Sequence, residues 1–426
     1  MNGTEQSALR DQTLPGGWTR ALPRPSWLLG TLPRAQLARN TIWALLGSGL
    51  SQGASLIAAL MLGRMLELTM FGQLALIQTT VLLFGNLGEA GLTLTTTKFV
   101  GRWKERDPGR AGRLVGWSMR ATAISGLFMV VLLIVAAPRL GSFPADAAPL
   151  AFAGAGGLLI FEMMNRLQFG ALAGLESFRQ TSHIQLGRAL ILLPIVWAGV
   201  TYRGLGGALA GMAVVSLATF LIGNRVLRRE CALRAIPLDG ARFERGVLAT
   251  SASLWISTVL LTGSTWAVMM LLTRQSSGYD ELGLFNAADR WKIALLFLPN
   301  VLFQVVLPML SRSHAAGDHR ACRQIVSMAI LLVTGVTGTA ALAVYLLSPL
   351  LMSWYGRSFE VGNSVLAVAA IGSVATALYT VGSGVLWSLG RPTLMLAIDL
   401  FKAALVVGLC LAGFGGTAWN VMVAYL

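Results

Sequence analysis

The chain alternates long apolar runs with short polar ones along most of its length. The runs fall at about 42–63, 71–97, 114–137, 150–173, 183–202, 205–224, 249–273, 284–311, 324–347, 363–389 and 393–413. Each is near 20 residues or longer, enough for a helix to cross roughly 30 Å of hydrocarbon. A final apolar piece, 415–426, gives only about 18 Å of helix. The pattern predicts an all-α integral membrane protein with about twelve transmembrane helices, the last one incomplete.

The polar gaps sharpen that picture. Odd-numbered gaps hold five basic residues: Arg64, Arg139, Arg203, Arg274 and Arg357. The N-terminal tail and the even-numbered gaps hold 22, concentrated in 98–113, 225–246 and 312–323. Lys and Arg accumulate in cytoplasmic loops, so this alternation predicts a cytoplasmic N-terminus. It accounts for most of the net charge of +15 as topogenic, and no nucleic-acid partner is expected. A missed span would have scrambled the alternation.

The chain also repeats itself. Thr69-Met70-Phe71-Gly72-Gln73-Leu74 opens the second span, and Asp280-Glu281-Leu282-Gly283-Leu284-Phe285 opens the eighth. Gly72 and Gly283 are 211 residues apart, and the basic loop 101–113 corresponds to 312–323. Six spans per half is an even number, so the halves face the same way. The expectation is two six-helix bundles related by a parallel pseudo-two-fold repeat, with a central cavity between them. The predicted organisation is a cytoplasmic tail at 1–40, a first bundle at 41–226, a linker at 227–246 and a second bundle at 247–426, truncated in its last helix.

Composition agrees. The chain is 55% hydrophobic and 12% charged, with mean hydropathy +0.68, against roughly 25% charged residues in a soluble domain. Cys231, Cys322 and Cys410 form no CxxC, and the three histidines make no metal cluster; no metal and no cofactor are expected. The longest apolar run in the Arg- and Pro-rich tail is Trp27–Leu32, too short for a signal peptide. That tail is expected to be mobile or interfacial.

Several segments resemble the polysaccharide (O-antigen type) flippases of the multidrug/oligosaccharidyl-lipid/polysaccharide exporter superfamily. Gly63-Arg64-Met65-Leu66 with Phe71-Gly72-Gln73-Leu74-Ala75 is similar to the junction of their first two helices. Leu282 to Arg290 with Pro308-Met309-Leu310-Ser311 resembles their eighth helix, and Leu172 to Phe178 their turn between helices four and five. The resemblance covers roughly 39–426. It implies a plasma-membrane, non-enzymatic transporter that moves a lipid-linked oligosaccharide, usually on undecaprenyl pyrophosphate, to the outer leaflet by alternating access. Other polysaccharide-assembly proteins are candidate partners. The family's last helix is complete, and here the corresponding piece has 12 residues.

Charged side chains at membrane depth are costly and mark a path or a pair. In the second span Gln78, Asn86, Glu89, Thr93 and Thr96 share one face, either lining a wet cavity or bonding to neighbouring helices. In the eighth, Asn286, Arg290 and Gln304 share a face. Arg290 either faces the cavity, snorkels, or pairs with Asp289 or Glu281. A guanidinium forks onto two phosphate oxygens and stays charged. Glu162 and Arg166 stand at i,i+4 in the fourth span, as a neutral pair or one that substrate or a proton breaks; Asp399 and Lys402 look alike in the eleventh. Lys292 is expected to snorkel or pair, and Arg188 to snorkel. The hydroxyls Ser48, Ser51, Ser55 and Thr258, Thr262, Thr265 suit close helix packing, with lining of the cavity by both helices as the alternative.

Candidate substrate ligands are therefore Arg290, Asn286, Gln304 and Arg166. Candidate coupling carboxylates are Glu89, Glu162 and Asp289, with Glu89 expected to face Arg290 across the cleft. Two other functions compete. A multidrug exporter needs mainly apolar walls and no phosphate ligand. A polysaccharide polymerase or ligase needs a reaction chamber built from a large outer loop, and the predicted outer loops are short.

Overall fold

The computed structural model describes residues 34–136, 148–238, 252–275, 277–389 and 392–425. The tail 1–33 and residues 239–246 of the predicted linker lie outside them. The chain divides into two compact units, Met1–Trp43 and Ala44–Leu426, and the second contains the packed helices and the cavity between them.

Among the described residues every element is helical. In order they are α1 (Arg34–Glu89), α2 (Leu92–Trp103), α3 (Pro108–Ala136), α4 (Ala148–Gly174), α5 (Phe178–Leu233), α6 (Ala252–Leu272), α7 (Gly278–Ala315), α8 (His319–Leu346), α9 (Ser348–Ser353), α10 (Asn363–Ser388), α11 (Pro392–Leu409) and α12 (Ala418–Ala424). A 3-10 turn, Arg357–Gly362, precedes α10, and a π turn, Cys410–Phe414, follows α11. Among the described residues, eight helical runs are long and apolar enough to cross a membrane, by length and composition.

Two long helices contain breaks where the hydrophobic pattern predicts a change of span. α1 breaks at Glu67 (φ 63°, ψ 174°), between the predicted first and second spans. α5 breaks at Arg203 and Gly204 (φ 54°), between the fifth and sixth. The arms of α5 then meet at Gly199 and Gly207, where a Cβ on either glycine would collide with the other's carbonyl oxygen. The predicted second span is itself interrupted, since Ala90 and Gly91 both have positive φ and α2 starts afresh at Leu92.

The surface has the polarity of a protein solvated by lipid. Along α3, Ile124, Leu127, Phe128, Val131, Ile134 and Val135 are each more than half exposed. Ser118 and Thr122, on the opposite face, are fully buried, and Thr96 Oγ1 donates to Ser118 Oγ at 3.2 Å. Large apolar side chains outside and small hydroxyls between helices is the arrangement hydrocarbon permits.

The internal repeat is visible as reciprocal contacts. A Cβ at Gly72 would collide with the carbonyl oxygen of Tyr279, and one at Gly283 with that of Leu68. Those pairs exchange under the 211-residue offset. Thr69 Oγ1 donates to Asp280 Oδ1 across the same offset. The contact joins the start of the second arm of α1 to the start of α7, and Arg290 reaches Gln78 about three turns further along both. The two helices therefore run away from the contact in the same direction, as a parallel repeat requires. Phe71, Tyr355 and Phe359 pack beside it with ring centroids 5.3–5.7 Å apart, all essentially buried. This end of the molecule is shut.

Residues 415–425 do not leave as an exposed loop. α12 packs on α7 and α10 with Ala418, Val421 and Met422 buried. Its first free N–H groups are satisfied: Ala418 N donates to Glu281 Oε2 at 2.7 Å and Asn420 N to Thr417 Oγ1. Glu281 is thus a helix cap and not a partner of Arg290.

Candidate functional site: a cavity with three arginines

A cavity of about 590 Å³ lies between both arms of α1, α4, α5, α6 and α7. Its walls are largely apolar, from residues such as Ala58, Leu62, Leu74, Leu158 and Leu261. Set into them are three arginines, Arg166, Arg188 and Arg290, and two carboxylates, Glu162 and Asp289. Asn286 and Gln78 also line it, as do Ser55, Thr262 and Thr265 from the hydroxyl stripes. Of the predicted ligands, Arg290, Asn286 and Arg166 therefore converge here. The side chain of Gln304 lies outside the described residues.

The pairing within this set departs from the i,i+4 reading. Glu162 does not pair with Arg166. It accepts from both terminal nitrogens of Arg188 and from Ser216 Oγ at 2.7 Å. Arg166 turns the other way: Nη1 donates to Asn86 Oδ1 at 2.7 Å and lies 3.6 Å from Glu89. Of the two arginines within reach of Glu162, one on its own helix and one on α5, the bidentate fork went to Arg188 on α5. Arg188 does not snorkel; it faces the cavity.

Glu89 is placed differently from expectation too. It is not among the cavity's lining residues and stands behind Arg166, so it does not face Arg290. The predicted polar stripe divides. Gln78 lines the cavity, Asn86 is a joint, and Thr93 and Thr96, past the break at residues 90–91, are packed against helices. Asn86 ties three helices together: Nδ2 donates to Thr262 Oγ1 at 2.9 Å, and its carbonyl accepts from Trp255 Nε1 at 2.7 Å.

Arg290 differs from its two neighbours. Nη2 donates to Gln78 Oε1 at 2.6 Å, a neutral acceptor. Asp289 is taken by Lys292 at 2.7 Å. Among the described residues no carboxylate lies within 4.0 Å of the Arg290 guanidinium. The wall thus carries one cation without a counter-charge, close to the axis that relates the two halves. Taking a charge out of water without a partner is costly, so an anion entering the cavity would be held there.

Comparison with known proteins agrees with this geometry. Residues 37–314 match the family of polysaccharide biosynthesis proteins. The chain belongs to this family. Its relatives include the "EPS I polysaccharide export inner membrane protein EpsE" of Ralstonia solanacearum, 27% identical over 254 residues, 57% of each chain. The protein of that name from Ralstonia nicotianae is 24% identical over 376 residues, 82% of each chain. The first match spans little more than half of that relative's length.

Among solved structures, a MOP superfamily transporter from Pyrococcus furiosus superposes with TM-score 0.67 at 13% identity, covering 91% of this chain and 90% of that one. An inward-facing multidrug resistance MATE family transporter gives 0.65 at 16% identity, covering 91% and 92%. An outward-facing MATE transporter gives 0.66 at 16%, covering 91% and 90%. These likenesses show that the chain has the fold of the MOP transporters. The near-equal scores for the two conformers mean that the shut end is assigned by the contacts at Gly72 and Tyr355, not by likeness.

Proposed function

We propose that this protein is a flippase that carries a lipid-linked oligosaccharide, of the undecaprenyl pyrophosphate type, across the plasma membrane by alternating access. The direction is from the cytoplasmic to the outer leaflet, for cell-surface polysaccharide. The observation that carries this reading is the uncompensated Arg290 in a cavity between two repeat-related halves. A pyrophosphate carries charge that lipid does not solvate, and a fixed guanidinium in a cleft lowers that barrier. Arg166 and Arg188 are secondary ligands, released if Glu89 and Glu162 take up protons. Relatives named as inner-membrane export proteins support the location and a transport role over an enzymatic one.

The cytoplasmic N-terminus belongs to the same proposal. With it, the shut end lies at the outer face and the structure is the state that loads from the cytoplasm. A multidrug exporter fits the cavity less well, because cationic drugs would meet the free charge of Arg290.

The test is a leaflet assay in cells lacking this protein, complemented by variants. Arg290→Ala is expected to abolish glycan export at normal expression. Arg290→Lys is expected to keep part of it, since the charge survives and the fork does not. Normal export by Arg290→Ala would remove this residue from the mechanism.

A further inference from the structure

Outside the cavity, Asp399 and Lys402 do not form the expected i,i+3 pair. The Tyr379 hydroxyl donates to Asp399 Oδ1, and Lys402 lies 4.2 Å from the centroid of the Tyr379 ring. Both are engaged within the second half. Arg64 is placed differently. It is exposed near the shut end, and its Nε donates to the carbonyl oxygen of Trp354 at 2.6 Å. Glu67, three residues on, does not pair with it. Among the described residues no carboxylate lies within 4.0 Å of its guanidinium.

Arg64 also lines a second groove, of about 480 Å³, which is within the size range of small-ligand sites. This groove crosses the seam between the halves. Ile57, Leu60, Met61 and Arg64 come from the first arm of α1, Trp197 from α5, and Trp354 from the end of α9 in the second half. Positions 57, 60, 61 and 64 follow the i, i+3, i+4, i+7 spacing of one helix face. Arg64 stands about 10 Å nearer the shut end than Ile57. The face is therefore apolar toward the membrane centre and cationic toward the surface. Ile57 and Trp197 are more than half exposed and Trp354 nearly so, so the described chain leaves the groove open.

A phospholipid has the same order of parts, with a charged phosphate at the leaflet surface and hydrocarbon below it. A guanidinium forks onto phosphate oxygens, and tryptophan rings sit at headgroup level. Nε of Arg64 is used on Trp354, and its two terminal nitrogens have no described acceptor. We propose that this groove binds an anionic phospholipid of the leaflet at the shut end, with the phosphate on Arg64 and a chain along Ile57, Leu60 and Met61. Because Trp354 belongs to the opposite half, the groove is complete only while this end is shut. A ligand that binds one of two states favours that state by its differential affinity. The lipid therefore holds this end closed, whatever the cavity carries.

The test is native mass spectrometry of the full chain with phosphatidylglycerol or phosphatidylcholine. The basic loops also attract anionic lipid, so the retained number is compared between variants. Arg64→Gln is expected to retain one phosphatidylglycerol fewer, with that lipid held about tenfold more weakly. Arg203→Gln, at the break in α5 and outside the groove, is expected to retain the full number. Trp197→Ala leaves the Arg64–Trp354 bond in place and is expected to lose the same lipid, which keeps the test open should Arg64→Gln fail to fold. In nanodiscs, spin labels at Met70 and Val361 are expected to show more of the short distance in phosphatidylglycerol than in phosphatidylcholine. That difference is expected to vanish in Arg64→Gln, whereas a purely structural Arg64 would shift the distance equally in both lipids. Equal retention of phosphatidylcholine, an unchanged number of lipids in Trp197→Ala, or a distance indifferent to lipid overturns the proposal. So does a dimer that Trp197→Ala dissociates, since a second copy would then cover the groove.

Discussion

The reciprocal glycine contact gives a prediction that few folds allow. Gly72→Ala and Gly283→Ala each add one methyl group against a backbone carbonyl of the other half, that of Tyr279 in one case and of Leu68 in the other. Neither neighbour is a flexible side chain that can swing away, so the two helix starts must separate. Overpacking of this kind costs about 1–3 kcal/mol. In a transporter that strain falls only on the state in which this end is shut. A bias of that size shifts a two-state equilibrium by roughly 5 to 150-fold. Spin labels at Met70 and Val361, both exposed near this end, would report it as a longer distance in each variant. Because the two positions are related by the repeat, the two shifts are expected to be of similar size. The double variant is expected to fall short of their sum, since the first methyl group already parts the helices. Distance distributions unchanged in both variants would refute the reading of this contact as the closed gate.

Two further outcomes follow from the charges. Glu162→Gln removes the counter-charge of Arg188 and sets an amide N–H donor where one carboxylate oxygen accepts from it; a loss of about 3 kcal/mol, read as a lower melting temperature in detergent, is expected together with tighter binding of inorganic pyrophosphate, and unchanged values of both would refute the pairing. Cys231 and Cys410 are buried and Cys322 is partly exposed, so a membrane-impermeant maleimide is expected to label Cys322 in inverted vesicles and not in sealed cells, the reverse pattern overturning the cytoplasmic placement of 312–323.

Hydropathy made the fold legible because span length and the alternation of basic gaps are both set by the bilayer. Even the breaks inside α1 and α5 fall where the pattern changes span. The halves were legible for a different reason: the repeat preserved a glycine pair that the packing at the axis requires. Side-chain pairing was not legible to the same degree. Neighbours three or four apart on one helix can be read from spacing, but Glu162 and Arg166 found better partners on other helices. A usable signal existed for one of them. Glu162 lies 12 residues before the end of α4 and Arg188 lies 10 after the start of α5, so a short connection puts them at the same depth. Helical spacing hid this, and depth matching across the hairpin reveals it. No comparable signal marks Asn86 as the joint to α6, because that contact crosses between halves whose docking the sequence does not specify.

The sorting of charges also explains why one arginine is left over. A cation in a lipid-enclosed cleft needs a partner in every state the protein occupies. Arg188 has Glu162, and Arg166 has Asn86 with Glu89 behind it. Arg290 has the amide of Gln78 from the opposite half, so its one contact spans the interface that must part when the shut end opens. Opening would strip Arg290 of that contact unless an anion had already replaced it. An anionic cargo bound at Arg290 would then favour opening with the cargo aboard over opening with an empty cavity, which ties the movement of the halves to the presence of substrate.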